Sequence, residues 1–402
     1  FNGIPFFTDI PNQSMYTHNV SATDLNAANN SAYGFLALSS VTTGDENVAM
    51  GYLAGRLITT GVQNTIVGAN AGDALTTGVS NVALGYAALS TSVDGDNNTA
   101  IGYAALLAYE DGDGNGHNTA VGAASQAAAT TGEFNTSLGS NAMGTGVTTG
   151  NFNVALGYKA LEVVTSGSHN IGLGTGAGGA LTTGGENVLL GINAGLAAIS
   201  ANNNVAIGHE ALKTNVDGDS NVAIGYESLK TLEPSDGHSY NVAIGHQSGK
   251  LMSTGTNNVI IGGLAGDALT TGALNVAIGS GALSTEDTGN RNTAIGHGSL
   301  SSLNFAGNGY NTAMGYNSGT AMISGIENTL IGALAGDSLN QGNYNVAIGK
   351  GALATEDGHS YNVAIGYNAL TTQNANADAY NVAVGASAGA NITTGVENTI
   401  VG

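Results

Sequence analysis

Three kinds of side chain in this 402-residue chain occur at spacings that suit chemistry: aspartates paired across a glycine, tyrosines that follow a glycine, and asparagines that head a short apolar run. The aspartate pairs are Asp94 with Asp96, Asp111 with Asp113 (and Asn115 close behind), and Asp217 with Asp219. Asp236, Asp287 and Asp357 stand in similar settings. Carboxylates two residues apart across a glycine can turn oxygens toward one Ca2+, which takes six to eight oxygen ligands. None of them completes the EF-hand loop or the tandem nonapeptide of calcium β-helices. Asp and Gly are also what tight turns favour, so a solvated corner is the leading expectation and Ca2+ the one candidate cofactor. The eight histidines show no zinc-like spacing, and no serine sits in a nucleophile elbow. The expectation is therefore a protein that is not an enzyme.

Tyrosines after a glycine, among them Tyr86, Tyr103 and Tyr226, sit at equivalent places in the repeat. Such a stripe can stack on sugar rings or pack between chains, and packing is the leading reading. Tyr86 and Tyr103 fall in neighbouring units and are expected one above the other.

These residues are set by a repeat. A pentad of the form Asn-(Val/Thr)-(Ala/Ile)-(Ile/Leu/Val)-Gly runs from Asn30 to Asn398, and sixteen of its twenty-one intervals are 17 residues, the rest 18, 19 or 20. Additions occur and deletions do not, so seventeen is the minimum closed turn. Asn258, Asn328 and Asn398 are 70 residues apart and head blocks with the same interval series. A fixed short period signals a solenoid. The pentad carries β-branched residues, no charge and a terminal glycine, which predicts a short strand. The fold class expected is all-β, a parallel β-solenoid of about twenty-two turns, a rod on the order of 100 Å long at the usual strand spacing.

Alternation along a strand puts Val/Thr and Ile on one face and Asn, Ala and Gly on the other. The small-residue face is expected to meet a neighbouring chain, which predicts oligomerisation. The asparagines, including Asn81, Asn98, Asn204, Asn221, Asn275 and Asn345, are expected to stack as an amide ladder. Two kinds of turn alternate: one reads Gly-Tyr-x-Ala-Leu, as at Tyr86 to Leu89, and the other moves its bulky residue later, as at Leu75.

Composition narrows the partners. Seven Lys+Arg against 28 Asp+Glu give a formal charge of −21, which repels phosphate backbones and anionic lipid. Nucleic acid is excluded as an expected partner. No apolar stretch approaches the ~18 residues that span a bilayer, so membrane insertion is not expected. Cysteine is absent, which removes any disulfide framework and sits comfortably with an exported protein.

The unit Asn221-Val222-Ala223-Ile224-Gly225-Tyr226-Glu227-Ser228-Leu229, with kin at Asn204, Asn275 and Asn362, resembles the head repeats of trimeric autotransporter adhesins (YadA-like heads). It is similar also to repeat regions of bacteriophage tail fibres. The resemblance covers Asn30 to Gly402 and implies a left-handed β-roll assembled as a homotrimer. The adhesin repeat is nearer fourteen residues, so the corner differs here. Residues 1–29 lack the repeat and are expected to cap or dock, and 30–402 to form the solenoid. Since the chain ends directly after a pentad, end-to-end stacking of copies is also expected. The function that follows is an extracellular structural or adhesive fibre element, on a virion or a bacterial surface, held against a glycan or protein receptor. A matrix filament subunit is the alternative. An ice-binding face is a third reading, prompted by the Thr pairs at Thr59, Thr76, Thr148, Thr182, Thr270 and Thr393.

Overall fold

A computed structural model describes residues 7–9, 14–16, 26–110, 115–234 and 237–402. It is a parallel β-solenoid of about 22 turns of roughly 17 residues, with no helix among the described residues. Two compact units divide it, Phe1–Ala201 and Asn202–Gly402. In the first, β1 (Phe7–Asp9) pairs antiparallel with β2 (Ser14–Tyr16), and β2 pairs in parallel with β3 (Ser31–Tyr33). One three-residue strand per turn then follows as far as β12 (Val188–Leu190). In the second unit the ladder runs from β13 (Val205–Ile207) to β24 (Thr399–Val401). The remainder of residues 1–29, expected as a cap, lies largely outside the described residues.

Equivalent pentad residues pair in register, Val82 with Thr99 and Ala83 with Ala100 in the first unit, Val259 with Val276 and Ile261 with Ile278 in the second. Because each strand meets a near copy of itself, a shift by one residue would turn every side chain to the opposite face. Counting the pentad Asn as position 1, positions 1 and 3 point into the coil while positions 2 and 4 point out. Asn81 and Ala83 are fully buried, whereas Val82 and Leu84 are 37% and 45% exposed. The same holds along the ladder, with Ala155 buried between exposed Val154 and Leu156.

This corrects the expectation that the small-residue face meets another chain. The alanines face neither water nor a partner; they line the coil's own interior. The reason is the narrow bore: corner residues such as Leu75 and Leu89 already fill most of it, so most strands contribute alanine and asparagine inward, and most β-branched residues are left outside.

The pentad Gly follows from the same crowding. Gly85 has φ +134, and a Cβ there would lie 2.4 Å from the carbonyl oxygen of Gly102 in the next turn. Beyond it the backbone alternates into the left-handed region, Ala87 at φ 54 and Leu89 at φ 53. The Ala87 N–H then donates to Ala69 in the turn before, and the Leu89 N–H to Ala105 in the turn after. The amides are thus satisfied between turns without a second strand.

Inside, a large position 3 excludes a large position 9, although glycine also stands at position 9 beside a small position 3, as in Ala49 with Gly55 and Ala243 with Gly249. Where position 3 is large, position 9 is glycine: Ile66 with Gly72, Leu189 with Gly195, Ile260 with Gly266, Leu330 with Gly336. A Cβ on Gly72 would come within 2.8 Å of Ile66 Cδ1. Where position 3 is Ala83, position 9 is the fully buried Leu89.

Candidate interaction surface

The asparagines of position 1 are buried and bond in three directions. Asn81 N and Nδ2 donate to Asn64 Oδ1 at 3.0 and 3.1 Å, and its Nδ2 also reaches the Gly95 carbonyl at 2.7 Å. Asn98 N donates to Asn81 Oδ1 at 2.9 Å, though Asn98 Nδ2 is buried without a partner. In the second unit Asn221 N and Nδ2 donate to Asn204 Oδ1 at 2.9 and 3.2 Å, and Asn204 Nδ2 to the Gly218 carbonyl at 2.8 Å. Asn275 N bonds to Asn258 Oδ1, and Asn345 N to Asn328 Oδ1. Asn81 and Asn204 thus tie a corner to a strand, and the series links each turn to the one before it.

A second inter-turn contact, not anticipated from the sequence, stands two residues before the pentad Asn. Asp45 Oδ1 accepts from Ala28 N, Asp96 Oδ1 from Val79 N and Asp219 Oδ1 from Asn202 N, each at 2.6 Å. Asn151, Asn290 and Asn343 do the same through a side-chain carbonyl. Asp96 and Asp219, read as candidate Ca2+ ligands, therefore hold the amide of the preceding turn. Asp94 has a buried oxygen without a hydrogen-bond partner. Among the described residues neither Asp94 with Asp96 nor Asp217 with Asp219 belongs to a group of three carboxylates or imidazoles whose ligand atoms all lie within 4.8 Å of one another, although His238 Nδ1 is 3.6 Å from Asp219 Oδ2. Asp111 and Asp113 lie outside the described residues. The hydroxyls of Thr59, Thr76, Thr182 and Thr270 donate to carbonyls of the following turn. They are engaged within the coil and do not form an outward array of free donors.

The outer face carries most of the exposed large apolar side chains. Positions 2 and 4 supply two central columns of Val, Thr, Ile and Leu, and aromatic residues line both margins. On one margin, after the pentad Gly, Tyr86 and Tyr103 stack with ring centroids 5.6 Å apart and planes 8° from parallel. Tyr226 lies between His209 and His246, at 5.4 and 5.2 Å. With both ring faces against imidazoles, Tyr226 presents an edge and a hydroxyl outward. On the other margin, just before the pentad Asn, His117, Phe134, Phe152 and His169 form one stack with spacings of 4.9, 5.1 and 5.1 Å. Tyr344, Tyr361 and Tyr380 form another.

Sequence reasoning missed this second margin, although its signal was present. The residue before the pentad Asn has φ near +50 to +66, as in Phe134, Tyr240 and Arg291. A left-handed conformation at a bulky residue is uncommon and glycine would relieve it. Yet no copy of the repeat places glycine there, in a chain with 64 glycines. Where that residue is aromatic, its side chain extends the outer face.

Charge stands at the corners and at some margin positions, as at Glu46, Glu186, Arg291, Glu327, Lys350 and Glu397. Glu210, Lys213, Lys230, Glu227 and Lys250 form a chain of ion pairs at 2.6 to 2.8 Å across three successive turns. Hydrogen bonds from Lys230, Lys250 and Gln247 hold the Glu227 carboxyl far below the usual range, and Glu210 and Glu227 push Lys230 up. Burial acts the other way on Asp267, Glu286 and Asp337, raising all three.

No family model and no curated protein matches the chain. No helix among the described residues is long and apolar enough to cross a membrane.

Proposed function

We propose that the chain is a structural element of an extracellular fibre, in which copies of the coil associate side by side through the outer face. The observation that carries this reading is the outer face, with Val82 and Leu84 in its two apolar columns and runs of stacked aromatics along both margins. Fully burying an aliphatic or aromatic side chain contributes about 1.5–3 kcal/mol, so a half-exposed one has about 1 kcal/mol left to gain. Repeated over many turns, that exceeds the roughly 4–15 kcal/mol that association costs in lost freedom. An enzyme gathers unlike groups at one place, whereas here like groups recur at every turn. That pattern suits a scaffold, and the resemblance to adhesin heads and tail fibres points to a left-handed homotrimer holding a host or a surface.

The test is mass in solution. Light scattering on the purified chain of 39.6 kDa is expected to give three copies. The double variant Leu84→Glu and Leu156→Glu, altering side chains already in contact with water, is expected to shift the population toward single chains with an unchanged circular dichroism spectrum. A wild-type protein that stays a single chain at micromolar concentration would overturn the assembly and the fibre reading with it.

A further inference from the structure

Independently of the fibre reading, the corner formed by Glu356, Asp357 and His359 stands apart from every other corner described. One ligand atom from each of the three lies within 4.8 Å of the others. His359 Nδ1 is 2.8 Å from Glu356 Oε1 and 3.9 Å from Asp357 Oδ1. Glu356 is fully buried, and its second oxygen, Oε2, has no hydrogen-bond partner. The group opens onto a cleft of about 270 Å³ lined by Asn340, Gln341, Asp357, Gly358 and His359. Asn340 also has its Oδ1 buried without a partner.

The chain carries its own control 70 residues earlier. Glu286 and Asp287 occupy the same places in the preceding block, but Gly289 stands where His359 does. There the glutamate is accounted for by the backbone: Gly289 N donates to Oε1 at 2.7 Å and Phe305 N to Oε2 at 3.2 Å. In the later copy the backbone supplies one bond, from His359 N to Oε1 at 3.2 Å. The imidazole is added, and Oε2 is left over. One block has a carboxylate satisfied by backbone amides of its own turn and the next; the other has an imidazole, two carboxylates and a spare buried oxygen.

We propose that Glu356, Asp357 and His359 bind a divalent transition-metal ion of the zinc class. Nitrogen and oxygen ligands at the usual 2.0–2.1 Å around a tetrahedral ion lie about 3.3 Å from one another. The two separations from His359 fall on either side of that value, so shifts under ~1 Å bring the imidazole to ligand spacing from each carboxylate. Ca2+ suits the corner poorly, since an imidazole nitrogen is not among its preferred ligands. The rival reading is structural: Gln373, at the same place one turn on, has its own buried Nε2 without a partner, and turning toward Glu356 Oε2 would satisfy both.

The test uses the full chain, stripped with chelator and desalted, then titrated calorimetrically with Zn2+ and followed with Co2+ by its visible absorption. His359→Gly is the informative variant, because the chain already folds with glycine at position 289; thermal melting without metal is expected to match the wild type. The wild type is expected to bind one Zn2+ with a Kd about 100-fold lower than the variant's, and to give a Co2+ spectrum that the variant lacks. Wild type and variant agreeing within threefold, no binding by either, or Ca2+ displacing Zn2+ at equal concentration would each overturn the proposal.

Discussion

At the scale of the residue, the asparagine that heads a turn does more than fill a ladder. Asn64 donates from N and Nδ2 to Asn47 Oδ1 at 3.0 Å each, reaches the Gly78 carbonyl at 2.8 Å, and accepts from Asn81 N and Nδ2 at 3.0 and 3.1 Å. Removing the amide strands a backbone N–H on one side and a carbonyl on the other, both buried. At about 1–3 kcal/mol per unsatisfied group, Asn64→Ala is expected to destabilise the first unit by about 2–4 kcal/mol. Asn64→Asp keeps the shape but places carboxylate oxygens against Asn47 Oδ1 and the Gly78 carbonyl. It is expected to be worse than alanine at neutral pH and to recover as the new carboxyl protonates in acid. Denaturant melts at both pH values check the order; an aspartate variant as stable as wild type at neutral pH would show that the amide's donors matter little. The pentad glycine is less tolerant still. Gly85→Ala puts a methyl group 2.4 Å from the Gly102 oxygen, and loss of the cooperative transition for that stretch is the expected result.

At the scale of the element, each turn works as an exchange between a strand residue and a corner residue. Ile66→Ala alone leaves a cavity, and Gly72→Leu alone drives a side chain into Ile66; each is expected to cost about 2–4 kcal/mol. The double variant recreates the arrangement of Ala223 with Leu229 and Leu232, all buried in one turn, and is expected to recover most of the loss. A coupling energy below ~0.5 kcal/mol in the cycle would mean the two sites are independent. The ion pairs at the corner contribute less. Lys230→Met removes one partner of each of Glu210 and Glu227, and because Lys230 still reaches solvent and each glutamate keeps a second lysine the loss at neutral pH is expected to be at most about 1 kcal/mol. Glu227 has a folded pKa below its ordinary 4.5 and Lys230 one above its ordinary 10.5. The difference between variant and wild type is therefore expected to hold between those values and to vanish as pH falls below 4.5. A gap that persists in acid would assign the effect to lost packing of the lysine stem. The strand and its period were legible in the pentad, because Asn81 to Gly85 declares an alternating, uncharged, glycine-ended segment. Which side of it faces inward was not: alternation says that Val82 and Leu84 share a face, but the choice depends on the bore of a 17-residue turn, a property of the closed coil. The amide-accepting role of Asp96 and Asp219 was hidden for a related reason, since an acceptor for the amide of the turn before looks like any turn aspartate until the turns are stacked. The aromatic margin at Phe134 and Tyr361 was hidden by its left-handed backbone, where glycine or asparagine is the usual occupant.

At the scale of the whole molecule, stability in a solenoid is close to a sum of turns and of contacts between neighbours, and that makes length a variable independent of fold. Within the second unit, Val242 pairs with Val259 and Val259 with Val276, and Asn241, Asn258 and Asn275 are joined through Asn258 and Asn275 backbone amides bonding to the Oδ1 before them. Deleting residues 258–274 removes one full turn and brings Asn275 to the place of Asn258. The pentads that then adjoin, with Ala243 and Ala277 at their centres, are of the same type, and the asparagine ladder closes again. Deleting residues 258–273 removes one residue fewer, yet leaves Leu274 ahead of Asn275 by an extra step. The join must bulge or else slip, and a slip by one residue would turn Val276 inward in a turn whose interior Leu283 already fills. The 17-residue deletion is expected to keep a single cooperative melt with a small fall in midpoint, and the 16-residue deletion to lose cooperativity around the join. Hydrogen exchange read turn by turn distinguishes them: protection should run through the 17-residue junction without a break, and in the shorter deletion it should fall at the turns on either side. Equal protection in both would mean that corners absorb a residue freely, and that the repeat length is set by something other than the closure of the turn.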